Sequence, residues 1–102
     1  MTKRLEILEK LAAEGKADSF AWYALALEYK SAGRIDEALV AFLSLRQRDP
    51  NYVPMYLMAG AMLESLGRTA EAALWLRDGI IAAESKGDSH AASEMRDILE
   101  RC

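Results

Sequence analysis

The sequence predicts an all-α chain built from stacked helical hairpins, and three observations carry that expectation. Alanine is abundant while valine, isoleucine and threonine are few, which favours helix over sheet. Bulky apolar residues recur three and four apart, as at Trp22, Leu25 and Tyr29, which is the spacing of one buried helical stripe. The chain also matches itself when displaced by 34 residues: SAGRIDEA at Ser31–Ala38 falls on SLGRTAEA at Ser65–Ala72. The same shift sets Trp22 on Tyr56, Ala26 on Gly60, Tyr29 on Leu63 and Phe42 on Leu76.

Residues 3–14 read as a first helix, with Leu5, Leu8, Leu11 and Ala12 on one face and Gly15 closing it. Asp18 and Ser19 supply an N-cap for the next helix. Small Ala26 lies within the Trp22–Leu25–Tyr29 stripe, where a second helix can approach closely. Gly33 breaks this helix and lets the chain turn, because glycine takes positive φ without steric penalty. A second stripe follows at Ala38, Leu39, Phe42 and Leu45, with Asp36 and Glu37 at the positive end of the helix dipole. It stops at Asp49–Pro50, since a residue preceding proline leaves the helical region.

The stretch PNYVP, Pro50–Pro54, is the joint between two hairpins, and Pro54 suits the first turn of a helix over Pro54–Leu66. Met55, Met58 and Met62 in that helix read as gap-filling core residues, or as an adaptable contact surface where exposed. Helix 69–85 carries Leu74, Trp75, Leu76, Ile80 and Ile81, more apolar residues than one stripe needs. Leu76 and Ile80 are assigned to the core, and Trp75 and Ile81 either meet a last helix or remain exposed. Gly87 breaks the turn SKGD. The last helix, Ser89–Arg101, is expected to bury Ala92, Met95, Ile98 and Leu99 and to turn Glu94, Arg96, Asp97 and Glu100 outward.

A helix–turn–helix unit of this period resembles the tetratricopeptide repeat. The first copy fits that family's signature at Trp22, Leu25, Ala26, Tyr29, Gly33, Ala38, Phe42 and Pro50, departing at Leu45, where alanine is usual. The second copy departs more often: Ala59 stands for leucine, Gly79 for alanine and Glu84 for proline. The resemblance covers residues 19–86 and implies a right-handed α–α superhelix, a solenoid of about six antiparallel helices in three stacked pairs. Residues 1–102 then form a single domain: an N-terminal capping helix (3–14), repeat 1 (19–52), repeat 2 (53–86) and a C-terminal capping helix (88–101). Helix 3–14 falls in register with the second helix of a repeat. It reads either as a cap over Trp22–Ser31 or as a lid in the binding groove.

The composition narrows the function classes. A net charge of −3 argues against a nucleic-acid partner, whose phosphates require a basic face. No apolar run approaches the roughly 20 residues of a membrane span, and the start MTKRLEILEKLAAEG lacks the pattern of a secretory signal. One cysteine fits a reducing compartment. The expected location is cytoplasmic, in a bacterium. His90 and Cys102 are too few for a zinc site, and at a helix tip and the chain's end they have neither the third group nor the pocket that a nucleophilic pair needs; the glycines form no phosphate loop. No catalytic residue, cofactor or metal is expected, so the chain does not read as an enzyme.

What remains is surface. The resemblance implies that the first helices of the repeats line a concave groove, here at Phe20, Tyr23, Ala24, Leu27 and Lys30, then Leu57, Met58, Ala61 and Glu64. The basic residues with which chaperone-binding members clamp a terminal carboxylate are absent from these positions. The expected function is a protein–protein adaptor or scaffold that receives an apolar or amphipathic segment of a partner protein or peptide. Burying a patch of roughly 600 Å², half of it apolar, at about 25 cal/mol/Å² provides several kcal/mol before association costs, which suits a transient contact and not a permanent one. The alternative is a structural module whose groove is covered by its own N-terminal helix or by homodimerisation.

Overall fold

The computed structural model describes residues 3–102. Among them are six helices and no strand: α1 (Lys3–Ala13), α2 (Ser19–Ser31), α3 (Ile35–Arg48), α4 (Val53–Ser65), α5 (Thr69–Ser85) and α6 (Ser89–Leu99). They fall into two compact units, one ending at Asp49 and one running Pro50–Cys102.

In the first unit α2 and α3 form a hairpin and α1 packs on α2. Ala26 and Ala38 are fully buried at the clasp, so the two helices meet without long side chains between them, and Phe42 and Leu45 fill the space beside it. The turn follows the glycine expected to make it. Gly33 has φ 76°, its N–H donates to the Lys30 carbonyl, and the Arg34 N–H donates back to the Tyr29 carbonyl at 2.9 Å. That pairing satisfies carbonyls a helix end otherwise leaves open. Asp18 caps α2 by accepting from the Ala21 N–H at 2.8 Å, and the Ser19 hydroxyl donates to Asp49 across the open end of the hairpin. Trp22 is half-buried, and Arg48 lies over its ring at 4.5 Å.

In the second unit α4 and α5 form the corresponding hairpin, and α6 packs on both. Gly67 (φ 77°) repeats the turn of Gly33, with the Arg68 N–H donating to the Leu63 carbonyl. The core holds Met55, Tyr56, Met62, Leu63, Trp75, Leu76 and Met95. Gly60 lies against Leu76, and Gly79 lies against Tyr56 and Met95, both too close to admit a Cβ. Asp88 caps α6 through the Ala91 N–H.

Several expectations are corrected in detail. The fourth helix starts and ends one residue earlier than expected, because Pro54 occupies its first turn rather than its first position. The sixth ends at Leu99, and Ile98 and Leu99 are half-buried, the side of α6 facing its unit being carried by Ala91, Ala92 and Met95. Ile80 is half-buried rather than core. Ile81 does not meet the last helix: it is 66% exposed. Trp75 is buried, and its ring contact is with Tyr56 of α4, centroids 6.0 Å apart. Met55 and Met62 are core as read, whereas Met58 is half-exposed.

Candidate partner-binding faces

Each hairpin has a first helix that is apolar around most of its circumference. In α2 the only polar residues are Ser19, Glu28, Lys30 and Ser31; in α4 they are Glu64 and Ser65. Helices of that kind have more apolar surface than one neighbour can cover. Within the first unit α2 uses Leu25, Ala26 and Tyr29 for its core. Phe20, Tyr23 and Leu27, spaced three and four apart, lie on another side of the same helix. Phe20 is 64% exposed, while Tyr23, Leu27 and Lys30 are half-buried. Ala24 is buried, so it shapes this face without offering a side chain to a partner.

In the second unit α4 commits Val53, Met55, Tyr56, Ala59, Met62 and Leu63 to the core. Leu57, Met58, Ala61 and Glu64 lie together on its remaining side, each half-buried. Glu64 is not open for recognition: the Arg101 guanidinium donates two bonds to one of its oxygens, at 3.1 and 3.2 Å. The α4 face is thus an apolar strip whose charged end is already paired.

Helix α1 does not lie over the Phe20–Tyr23–Leu27 side of α2 through its polar bonds. Arg4 pairs with Glu28 at 3.1 Å, and Glu9 accepts from the hydroxyl of the core residue Tyr29 at 2.6 Å. Burial, and then the Glu9 carboxylate beside it, pushes the Tyr29 pKa up to about 12. That hydroxyl therefore stays protonated and donating across the neutral range. The two turns carry charge of their own. Arg34 grips Glu37 with two bonds, a pairing that holds the Glu37 carboxyl below its usual range, and Arg68 grips Glu71 likewise.

Sequence reasoning did not propose a second set of apolar residues as a face, although exposure of Ile81 was one of its two readings. Val40 and Leu43 on α3, and Leu74 and Ile81 on α5, are large and exposed. Val40 and Leu74 stand 34 residues apart, so the repeat itself was the signal that pairs them. Among the described residues no group of three or more His, Cys, Asp and Glu is placed to hold a metal, and no helix is long and apolar enough to cross a membrane. His90 bonds Glu94 one turn on, and Cys102 is an exposed thiol.

No family profile matches the chain, and no curated protein sequence does. Solved structures do. A tetratricopeptide repeat domain protein from Salinibacter ruber, in a crystal structure, is 34% identical with TM-score 0.74, over 82% of this chain and 94% of that one. A solution structure of a tetratricopeptide repeat domain protein from the same organism gives 34% identity and TM-score 0.76, over 82% of this chain and 85% of that one. A Bordetella parapertussis protein is 28% identical with TM-score 0.82, over 99% of this chain and 88% of its own. The repeated glycine turns, the clasped hairpins and these neighbours agree: the chain belongs to the tetratricopeptide repeat family.

Proposed function

We propose that this protein is a non-catalytic interaction module that binds an apolar or amphipathic segment of another protein through the spare sides of its first helices. The observation that supports this reading most is the apolar surplus on α2 and α4. Once each unit's core is filled, Phe20, Tyr23, Leu27, Leu57 and Met58 still have surface in contact with water. Their rims carry few charges, so the matching partner is itself apolar on one side. Aromatic and methionine side chains supply large contact area and adapt to different shapes. The proposed setting is the cytoplasm of a bacterium; the neighbours' organisms, both bacteria, support the second part of that reading.

Replacing Tyr23 and Leu57 with glutamate tests the proposal. Capture of the native partner from cytosol should be lost in the double variant while its helicity by circular dichroism stays intact. Capture at the parental level would move the site elsewhere. A second reading, in which another copy of the chain covers these faces, is separated by sedimentation across a concentration series: self-association lost in the same variant would favour it.

A further inference from the structure

A groove of about 490 Å³ lies in the second unit, between the N-terminal half of α5 and the end of α6. Its apolar lining is Ala70, Ala73 and Leu74 of α5 together with Leu99 of α6. Cys102 closes one side, its thiol donating to the Ile98 carbonyl at 3.6 Å. The one charged side chain in the lining is Arg77. The groove is formed on the second helix of its hairpin, so nothing in it rests on the faces of α2 and α4 proposed above. Its size lies within the range of small-molecule sites.

Arg77 is an uncompensated cation. It is exposed, and it has no hydrogen bond or ion pair to any of the described residues. Side chains pair along a helix at three and four residues, and those positions here are Ala73, Leu74, Ile80 and Ile81, all apolar. Every other arginine of this unit has a carboxylate: Arg68 holds Glu71, Arg96 holds Glu84 and Arg101 holds Glu64. Asp78, next in the chain, projects about 100° away round the helix. The corresponding face of the first unit has no cation, since one repeat earlier Ala73, Leu74 and Arg77 become Leu39, Val40 and Leu43. One cation beside an apolar floor matches a monoanion on an apolar stem, whereas a doubly charged phosphate would leave one charge unanswered. A guanidinium also presents parallel N–H donors that fit a carboxylate.

We infer that this groove is a binding site for a small free carboxylic acid, its carboxylate on Arg77 and its apolar stem on Ala70, Ala73, Leu74 and Leu99.

Nuclear magnetic resonance titration of the full chain tests the site. Hexanoate and 4-phenylbutyrate should shift the Ala70, Ala73 and Leu74 amides saturably, and leave the Val40 and Leu43 methyls of the first unit in place. Hexan-1-ol, which keeps the stem and lacks the charge, should bind at least about fivefold more weakly, and added salt should weaken the acid but not the alcohol. Arg77→Gln, at an exposed position, should bring acid binding down to the level of the alcohol, and Arg77→Lys, which keeps the charge, should retain part of the difference. Ala70→Phe, also at an exposed position, should block the groove to both ligands. Equal binding of acid and alcohol, an unaltered affinity in Arg77→Gln, or shifts at Val40 and Leu43 that follow those at Leu74 would each overturn the assignment. Tighter binding of inorganic phosphate, or of an Nα-acetylated peptide ending in leucine, would overturn it as well, by giving the groove to a different occupant.

Discussion

The two hairpins share their turns and differ in their cores. Gly33 and Gly67 take the same backbone conformation, and the bidentate arginine–glutamate pair after each glycine is repeated, Arg34–Glu37 and Arg68–Glu71. Behind those turns the packing diverges. At one repeat position the first unit has a buried Leu45 and the second has Gly79, whose open side is taken by Tyr56 and by Met95 of α6. At another, Ala26 clasps α3 while Gly60 accommodates the whole Leu76 side chain. The helix ends diverge as well. Pro50 follows α3, which has 14 residues, whereas the corresponding Glu84 lets α5 run to 17 and bury Ala82 and Ala83. Turn chemistry is local, so it survives repetition; core chemistry depends on which third helix arrives. In the first unit that helix precedes the hairpin, and in the second it follows.

Exchanging the residues that differ should break the comparison most severely. Gly79→Leu puts carbon where Tyr56 Cβ is 2.4 Å and Met95 Sδ 2.5 Å from the first added atom, and should destabilise by about 3 kcal/mol or more in urea unfolding. The reverse change, Leu45→Gly, leaves a cavity and a flexible helix interior, a loss of about 4 kcal/mol. Gly60→Ala, the residue the first unit already has at Ala26, should cost about 2 kcal/mol, because Leu76 Cδ2 is 2.5 Å from the new methyl and fully buried. A loss below half of these values would mean that the two cores are more interchangeable than their contacts imply.

A smaller effect separates Tyr29 from its counterpart Leu63. With its folded pKa raised from 10.0 to about 12, Tyr29 contributes stability that is complete below pH 10 and lost as pH rises through about 12. The parent should therefore lose about 1 kcal/mol more than Tyr29→Phe across that window, part of the shift being screened by water at the hydroxyl. Identical pH profiles would remove the Glu9–Tyr29 bond from the account. Smallest of all, Arg68→Ala should lower the melting temperature less than Arg34→Ala, since Arg34 also lies over the Tyr29 ring.

Much of this architecture is legible in the sequence, for a physical reason. Gly15, Gly33, Gly67 and Gly87 all adopt positive φ, so each helix end that a glycine announces is present. Asp18 caps as its side chain predicts. Where several apolar residues are adjacent, the pattern loses its meaning: Leu74–Leu76 and Ile80–Ile81 cover nearly every direction around α5, and only the packed helix assigns Trp75 inward and Ile81 outward. Gly60 and Gly79 are visible as letters, but their neighbours Leu76 and Met95 are not. For the candidate faces, repeat position proposes a set of residues. The burial of Ala24 and the pairing of Glu64 with Arg101 depend on tertiary placement.

The central proposal is that a partner segment is received by the apolar residues that each unit's core spares, those of α2 in the first unit and those of α4 in the second. Mapping backbone and methyl chemical shifts as the captured partner segment is added tests it most directly. Perturbations should concentrate on Phe20, Tyr23 and Leu27 and on Leu57, Met58 and Ala61. A response centred instead on Val40, Leu43, Leu74 and Ile81, with those six unmoved, would contradict it.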